Sequence, residues 1–170
     1  MNTKKVTIAQ IKKAIECKNY ESAMDSFISL IEDKKPKGYD PTANNPRAVF
    51  INHLQKYGHK KQEHFICIAL NNKNEVIDSE VIFKGTLNEC TVHPREIFHF
   101  AVVNSAASII IAHNHPSQVC TPSTEDVTLT KRCVEAGKIM GIPVLDHIIF
   151  CKSSYESGSS YLSMKEEGYF

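Results

Sequence analysis

A chain of 170 residues, 42% apolar and 23% charged, can bury a core without disulfide staples, and this balance excludes an intrinsically disordered protein. Its 20 Lys and Arg face 19 Asp and Glu, for a net charge of +1, so bulk charge makes no case for nucleic-acid binding. None of the 6 cysteines forms a Cys-x-x-Cys pair, and Cys67 and Cys151 lie in apolar runs. Reduced, buried thiols suggest a reducing compartment. The N-terminal lysines have no apolar run behind them, and Phe100 to Ala112 is broken by Asn104, Ser105 and Ser108. The sequence therefore predicts a cytoplasmic protein without a membrane partner.

In chain order, apolar residues at steps of three and four predict two short helices within residues 3–32. Lys34 to Pro46, rich in Pro, Gly, Asn and Asp, is the best boundary. It divides a helical extension with its linker, residues 1–44, from a domain over residues 45–170. Asn45-Pro46 opens a helix from Arg47 to Tyr57, which Gly58 stops. Glu63 to Leu70 is a near-continuous apolar run of strand length. After the turn at Asn71 to Asn74, Glu75 to Phe83 alternates as a second, antiparallel strand. Gly85-Thr86 and Asn88 mark a turn. Pro94 to Asn104 predicts a helix with proline in its first turn. Ser108 to Ala112 predicts a short buried strand. A helix from Ser123 to about Met140 is closed by Gly141, and Val144 to Cys151 predicts a strand. Ser153 to Ser160 reads as a flexible loop. Alternating strands and helices predict an α/β domain with a mixed sheet flanked by helices.

The chemistry concentrates in residues 109–127. His113 and His115 directly follow the apolar strand, and residues i and i+2 of extended chain share a side, so both imidazoles can face one ion. Two neutral imidazoles suit zinc, whose catalytic sites take three protein ligands and leave the fourth position to water. Asp126, three residues after the helix N-cap Ser123, supplies the negative third ligand. Either fragment alone is weak, since His-x-His arises by chance and Ser-x-x-Asp is an ordinary helix cap. Together, His-x-His-Pro-x6-Ser-x-x-Asp between a buried strand and a helix is specific.

His113-Asn114-His115-Pro116-Ser117, Thr121-Pro122-Ser123 and Asp126 resemble the JAMM signature of the MPN/JAB metalloprotease superfamily. Gly85-Thr86-Leu87, His93-Pro94-Arg95-Glu96, Asn104, Ala106-Ala107, Glu135 to Lys138 and Leu145-Asp146-His147 resemble its RadC-type branch. The resemblance covers roughly residues 45–168. It implies a single MPN/JAB-like domain with one Zn2+ per chain that cleaves a peptide or isopeptide bond in a peptide or protein substrate. It also implies a glutamate general base at the start of a central strand, where Glu63 matches a RadC-type Glu-x-Phe. Glu80 and Glu96 compete for that role, although a solvated strand face suits Glu80 and a first helical turn suits Glu96. The resemblance adds an oxyanion-stabilising role for Ser123. His147 is by default a core histidine, which the Leu-Asp-His match draws toward the site. Two alternatives are a non-catalytic MPN-like interaction module and a DNA-repair-associated protein. The first lacks the missing ligands expected of a scaffold. The second lacks a Gly-rich helix-hairpin-helix in residues 1–40.

Overall fold

The computed structural model describes residues 42–85, 92–151 and 161–170. The helices expected within residues 3–32, the linker before residue 42, the turn at Thr86 and Asn88, and the loop Ser153 to Ser160 lie outside the described residues. Asn45 caps the first described helix, α1 (Pro46–Val49), by accepting from Ala48 N at 2.7 Å, with Pro46 in its first turn. The expected single helix differs in its turns. It widens to a π-helical turn over Phe50–Leu54 and tightens to a 3-10 turn over Gln55–Tyr57. A wide turn brings residues four and five apart onto one face, and Val49, Phe50 and Leu54 are all buried.

Five strands form one mixed sheet: β1 (His64–Leu70), β2 (Val76–Lys84), β3 (Ser108–Asn114), β4 (Val144–Phe150) and β5 (Tyr161–Ser163). Their order is β2-β1-β3-β4-β5, with β3 and β4 parallel and the other neighbours antiparallel. Two further helices are α2 (Pro94–Val103) and α3 (Thr124–Met140). The described residues thus form a mixed-sheet α/β domain, as the sequence predicts. Among the described residues no helix is long and apolar enough to cross a membrane.

Strand parity explains where the core lies. Phe65, Cys67, Ala69, Ile109 and Ile111 pack with residues of α2 and α3, including Ile97, Phe98 and Cys133. The alternate residues Ile66, Ile68, Leu70, Ile110 and Ala112 pack with Val49, Phe50 and Leu54. Both faces of the central strands are therefore buried, which is why β1 and β3 read as continuous apolar runs. At the far end of α3 the helix meets the following loop so closely that a Cβ on Gly137 would sit 2.6 Å from the Ile142 carbonyl oxygen. The left-handed Gly141, at φ 68°, then closes the helix.

β3 runs two residues past its predicted end. His113 pairs with Phe65 and Ile149, and Asn114 with Phe150, so His113 belongs to the strand rather than to the turn after it. Parity puts His113 on the same face as Ile109 and Ile111, the face covered by α3. Asn114 goes to the opposite face.

Candidate metal centre

Residues 115–123 link the end of β3 to the start of α3. Ser123 caps it with both halves of a capping box: its hydroxyl accepts from Asp126 N at 3.1 Å, and Asp126 Oδ2 accepts from Ser123 N at 2.8 Å. The Ser123 hydroxyl also donates to Oδ2 at 2.7 Å. Asp126 Oδ2 is thereby fixed, which leaves Oδ1 facing the sheet.

Three side chains converge there. His113 Nε2 lies 2.9 Å from His115 Nε2 and 3.1 Å from Asp126 Oδ1. His115 Nε2 lies 3.5 Å from Asp126 Oδ2. Two ligand atoms each about 2.05 Å from a tetrahedral zinc would stand about 3.3 Å apart, so this spacing fits a metal. The donor chemistry fits as well. His115 Nδ1 donates to the Val119 carbonyl at 2.6 Å, and a carbonyl can only accept, so neutral His115 turns an Nε2 lone pair inward. Lone pairs facing a carboxylate call for a cation. His113, His115 and Asp126 are the one such group of potential metal ligands among the described residues.

The electrostatics of the site favour a positive charge beside Asp126. Burial disfavours the Asp126 carboxylate, but the protons that the His113 and His115 rings can present to it, with the hydrogen bond from Ser123, outweigh it and hold the group well below the usual carboxylate range. Burial also pulls His115 down. The protonated ring can donate to both Asp126 and the Val119 carbonyl, and these bonds, with the charges of Asp126 and Glu63, reverse the sign and raise its pKa.

His113 is fully buried and stacks on Phe65, with ring centroids 5.8 Å apart and planes 10° apart. His115 and Asp126 open onto a cleft of about 630 Å³ that Glu63 and Ser123 also line, with Phe65 and Leu129 as apolar wall and Arg132 as a cation. Glu63 stands directly before β1, whose first residue pairs across from Lys84. Glu80 and Glu96 instead line a separate cavity with His99 and Phe100. Glu63 is thus the one of the three candidate glutamates that shares the ligands' cleft. Cys120 Sγ lies 2.6 Å from Cys151 Sγ and is not one of the clustered ligands.

Two residues proved more closely tied to the site than their sequence context signals. Asn114 accepts from His64 N at 2.7 Å and donates to Gln62 O at 3.1 Å and Lys60 O at 3.3 Å. It grips the backbone on both sides of Glu63. His147 is a fully buried core residue, and it also touches the centre, with Nε2 2.9 Å from His113 Nδ1. Strand parity was the signal available for Asn114, because an asparagine between two inward residues must face the neighbouring element.

A family model for the RadC-like JAB domain matches residues 43–169. A UPF0758 protein of Enterococcus faecalis is 41% identical over 167 residues, 97% of this chain and 64% of the relative. A UPF0758 protein of Listeria welshimeri is 55% identical over 109 residues, 64% of this chain and 46% of its own length. One from Bacillus cereus is 52% identical over the same length. The chain therefore spans less than two thirds of the length of these curated relatives. Fold and site together define a JAB-type α/β domain whose His–His–Asp group could take a metal. More narrowly, the chain belongs to the RadC-like JAB domain family.

Proposed function

We propose that the chain is a zinc-dependent hydrolase, a JAMM-type metallopeptidase that cleaves a peptide or isopeptide bond with a metal-activated water. The observation that carries this is the convergence of His113, His115 and Asp126 at the wall of a cleft that Glu63 also lines. Zinc held by these ligands would supply a Lewis acid that polarises the scissile carbonyl and lowers the pKa of a water from about 15.7 toward about 7. Glu63 takes the proton from that water and passes it to the leaving amine. Ser123 is the candidate oxyanion donor. Its hydroxyl proton goes to Asp126 in the resting site, so this role requires it to turn toward the substrate. The apolar wall of Phe65 and Leu129 suits a peptide side chain beside the reacting bond.

Glu63→Gln tests the assignment, because it removes the base and none of the metal ligands. Cell-extract proteins are incubated with the zinc-loaded full chain, and newly formed peptide termini are counted by mass spectrometry. The expected result is unchanged zinc content with turnover reduced roughly 10²- to 10⁴-fold. Equal cleavage by both forms would refute the role of Glu63. Zinc retention with no new termini from the wild type would favour a ligand-binding module over a peptidase.

A further inference from the structure

Behind the centre, on the side away from the cleft, lies a chain of buried polar groups that the proposed reaction does not use. His113 Nδ1 is 2.9 Å from His147 Nε2, His147 Nδ1 is 2.5 Å from Thr130 Oγ1, and Thr130 Oγ1 is 2.6 Å from the Asp126 carbonyl oxygen. His147 is fully buried and Thr130 is 1% exposed. The chain begins at the side chain of one metal ligand and ends at the backbone of another.

We propose that His147 and Thr130 are positioning residues for the metal centre, fixing the ring orientation and tautomer of His113. This rests on the metal-dependent reading above. The direction of the bonds follows from the far end. The Asp126 carbonyl can only accept, so the Thr130 hydroxyl donates to it, the usual back-bond of a helical threonine. Met164 Sδ, 3.6 Å from the same hydroxyl, is the weaker acceptor. The Thr130 oxygen then accepts from His147 Nδ1–H. A fully buried ring with neutral partners carries one proton, so His147 Nε2 presents a lone pair and accepts from His113 Nδ1–H. His113 is left with its Nε2 lone pair aimed at His115 and Asp126, the form a metal needs.

Local backbone geometry makes this arrangement available. β4 carries a register irregularity opposite Ile109 and Ile110: Val144 pairs with Ile109, but Asp146 pairs with Ile110 and His147 with Ile111. In regular register from Val144, Leu145 would pair with Ile110 and Asp146 would occupy the place of His147 opposite Ile111. A carboxylate there would put a second buried negative charge behind the centre. The bulge brings a neutral ring instead. Phe65 packs against both imidazoles, stacked on His113 and edge-on to His147, and limits their rotation.

The test is zinc affinity of the full chain, measured by competition with a chromophoric chelator, alongside the visible spectrum of the cobalt-substituted protein. His147→Leu is expected to weaken zinc binding by about 10- to 100-fold, the range for lost outer-shell partners of a ligand histidine. The nearly isosteric Thr130→Val should weaken it by roughly tenfold, and Thr130→Ser, which keeps the hydroxyl, should restore it. The cobalt spectrum should shift in the two weakened variants and not in Thr130→Ser. A residue serving only the core would lower the melting temperature without moving either readout. Folded His147→Leu and Thr130→Val proteins with wild-type affinity would overturn the positioning role while leaving the hydrolase assignment standing. Weakened binding, with no turnover that Glu63→Gln abolishes, would uphold positioning and remove the hydrolase. A wild type without zinc affinity would remove both.

Discussion

Between the two histidines of the ligand segment, Asn114 faces the opposite way and uses its whole amide on residues 60–64. Its carbonyl oxygen accepts from His64 N, and its amide nitrogen donates to Gln62 O and Lys60 O. Because Asn114 is fully buried, these bonds have no water to replace them. They tie the peptide units flanking Glu63 to the strand that carries His113, so the proposed base is held against the proposed ligand strand. Asn114→Ala should therefore cost about 1–3 kcal/mol in urea-induced unfolding. It should also lower turnover by a larger factor than it lowers zinc content, because Glu63 loses its anchor and the ligands do not. A variant whose turnover falls only in proportion to its zinc would contradict this. The grouping of His113, His115 and Asp126 was legible in the sequence because each has the right residue type at a telling spacing, whereas Glu63 was singled out by its match to the RadC-type Glu-x-Phe and Ser123 as the helix N-cap three residues before Asp126. Asn114 and His147 were less legible, since an asparagine in a turn and a histidine in a strand each have ordinary structural uses. Only the facing element shows what they touch.

Between elements, Asp146 joins β4 to β5 and the C-terminal turn. Its Oδ1 accepts from His147 N at 2.7 Å and Lys165 N at 3.2 Å, and its Oδ2 accepts from Ser163 Oγ at 2.7 Å. Burial pushes its pKa above the usual carboxylate value, and the bonds from Ser163, Lys165 and His147 only partly oppose that. The folded state thus holds the Asp146 proton more tightly than the unfolded chain does. That contribution to stability is fully present below the unfolded pKa of about 3.9 and is lost as pH rises through the raised folded value. Asparagine keeps the oxygen acceptor and cannot ionise. Relative to Asp146→Asn, the wild type should therefore lose stability as pH rises across this window and hold a constant difference above it. Urea midpoints of both proteins from about pH 3 to about pH 8 measure this; a difference that changes in the opposite sense would contradict the assignment. The elements themselves were unevenly legible. β1, β3 and β4 show apolar runs bounded by turns, and α2 and α3 show proline, N-cap and glycine punctuation. β5 is three residues long beside a serine-rich stretch, too short for an alternation to register. The end of β3 was masked because His113 and Asn114 are polar, although pairing with β1 and β4 carries the strand through them.

Across the whole molecule, the site is where three features of the fold meet: the C-terminal end of a central strand, the N-terminus of α3, and the residue before β1. Parity carries the apolar face of β3 outward until Ile109 and Ile111 give way to His113. The capping box turns Asp126 back toward that same face. The residues that could hold a metal are therefore extensions of the core rather than additions to a loop, and His113 is as buried as the isoleucines before it. Sequence alone conveyed the strand–turn–helix context. It could not convey the antiparallel register of β1 on β3, which aligns Phe65 with His113 and so brings Glu63 to the cleft.

Zinc content of the purified full chain, stripped with chelator and reloaded, tests this account most directly. One zinc per wild-type chain is expected, with the melting temperature rising on loading because the metal binds the folded form. Glu63→Gln should load equally, and His113→Ala should lose both the zinc and the thermal shift. A wild type that takes up no zinc, or a His113→Ala protein that binds it as well as the wild type, would contradict the account.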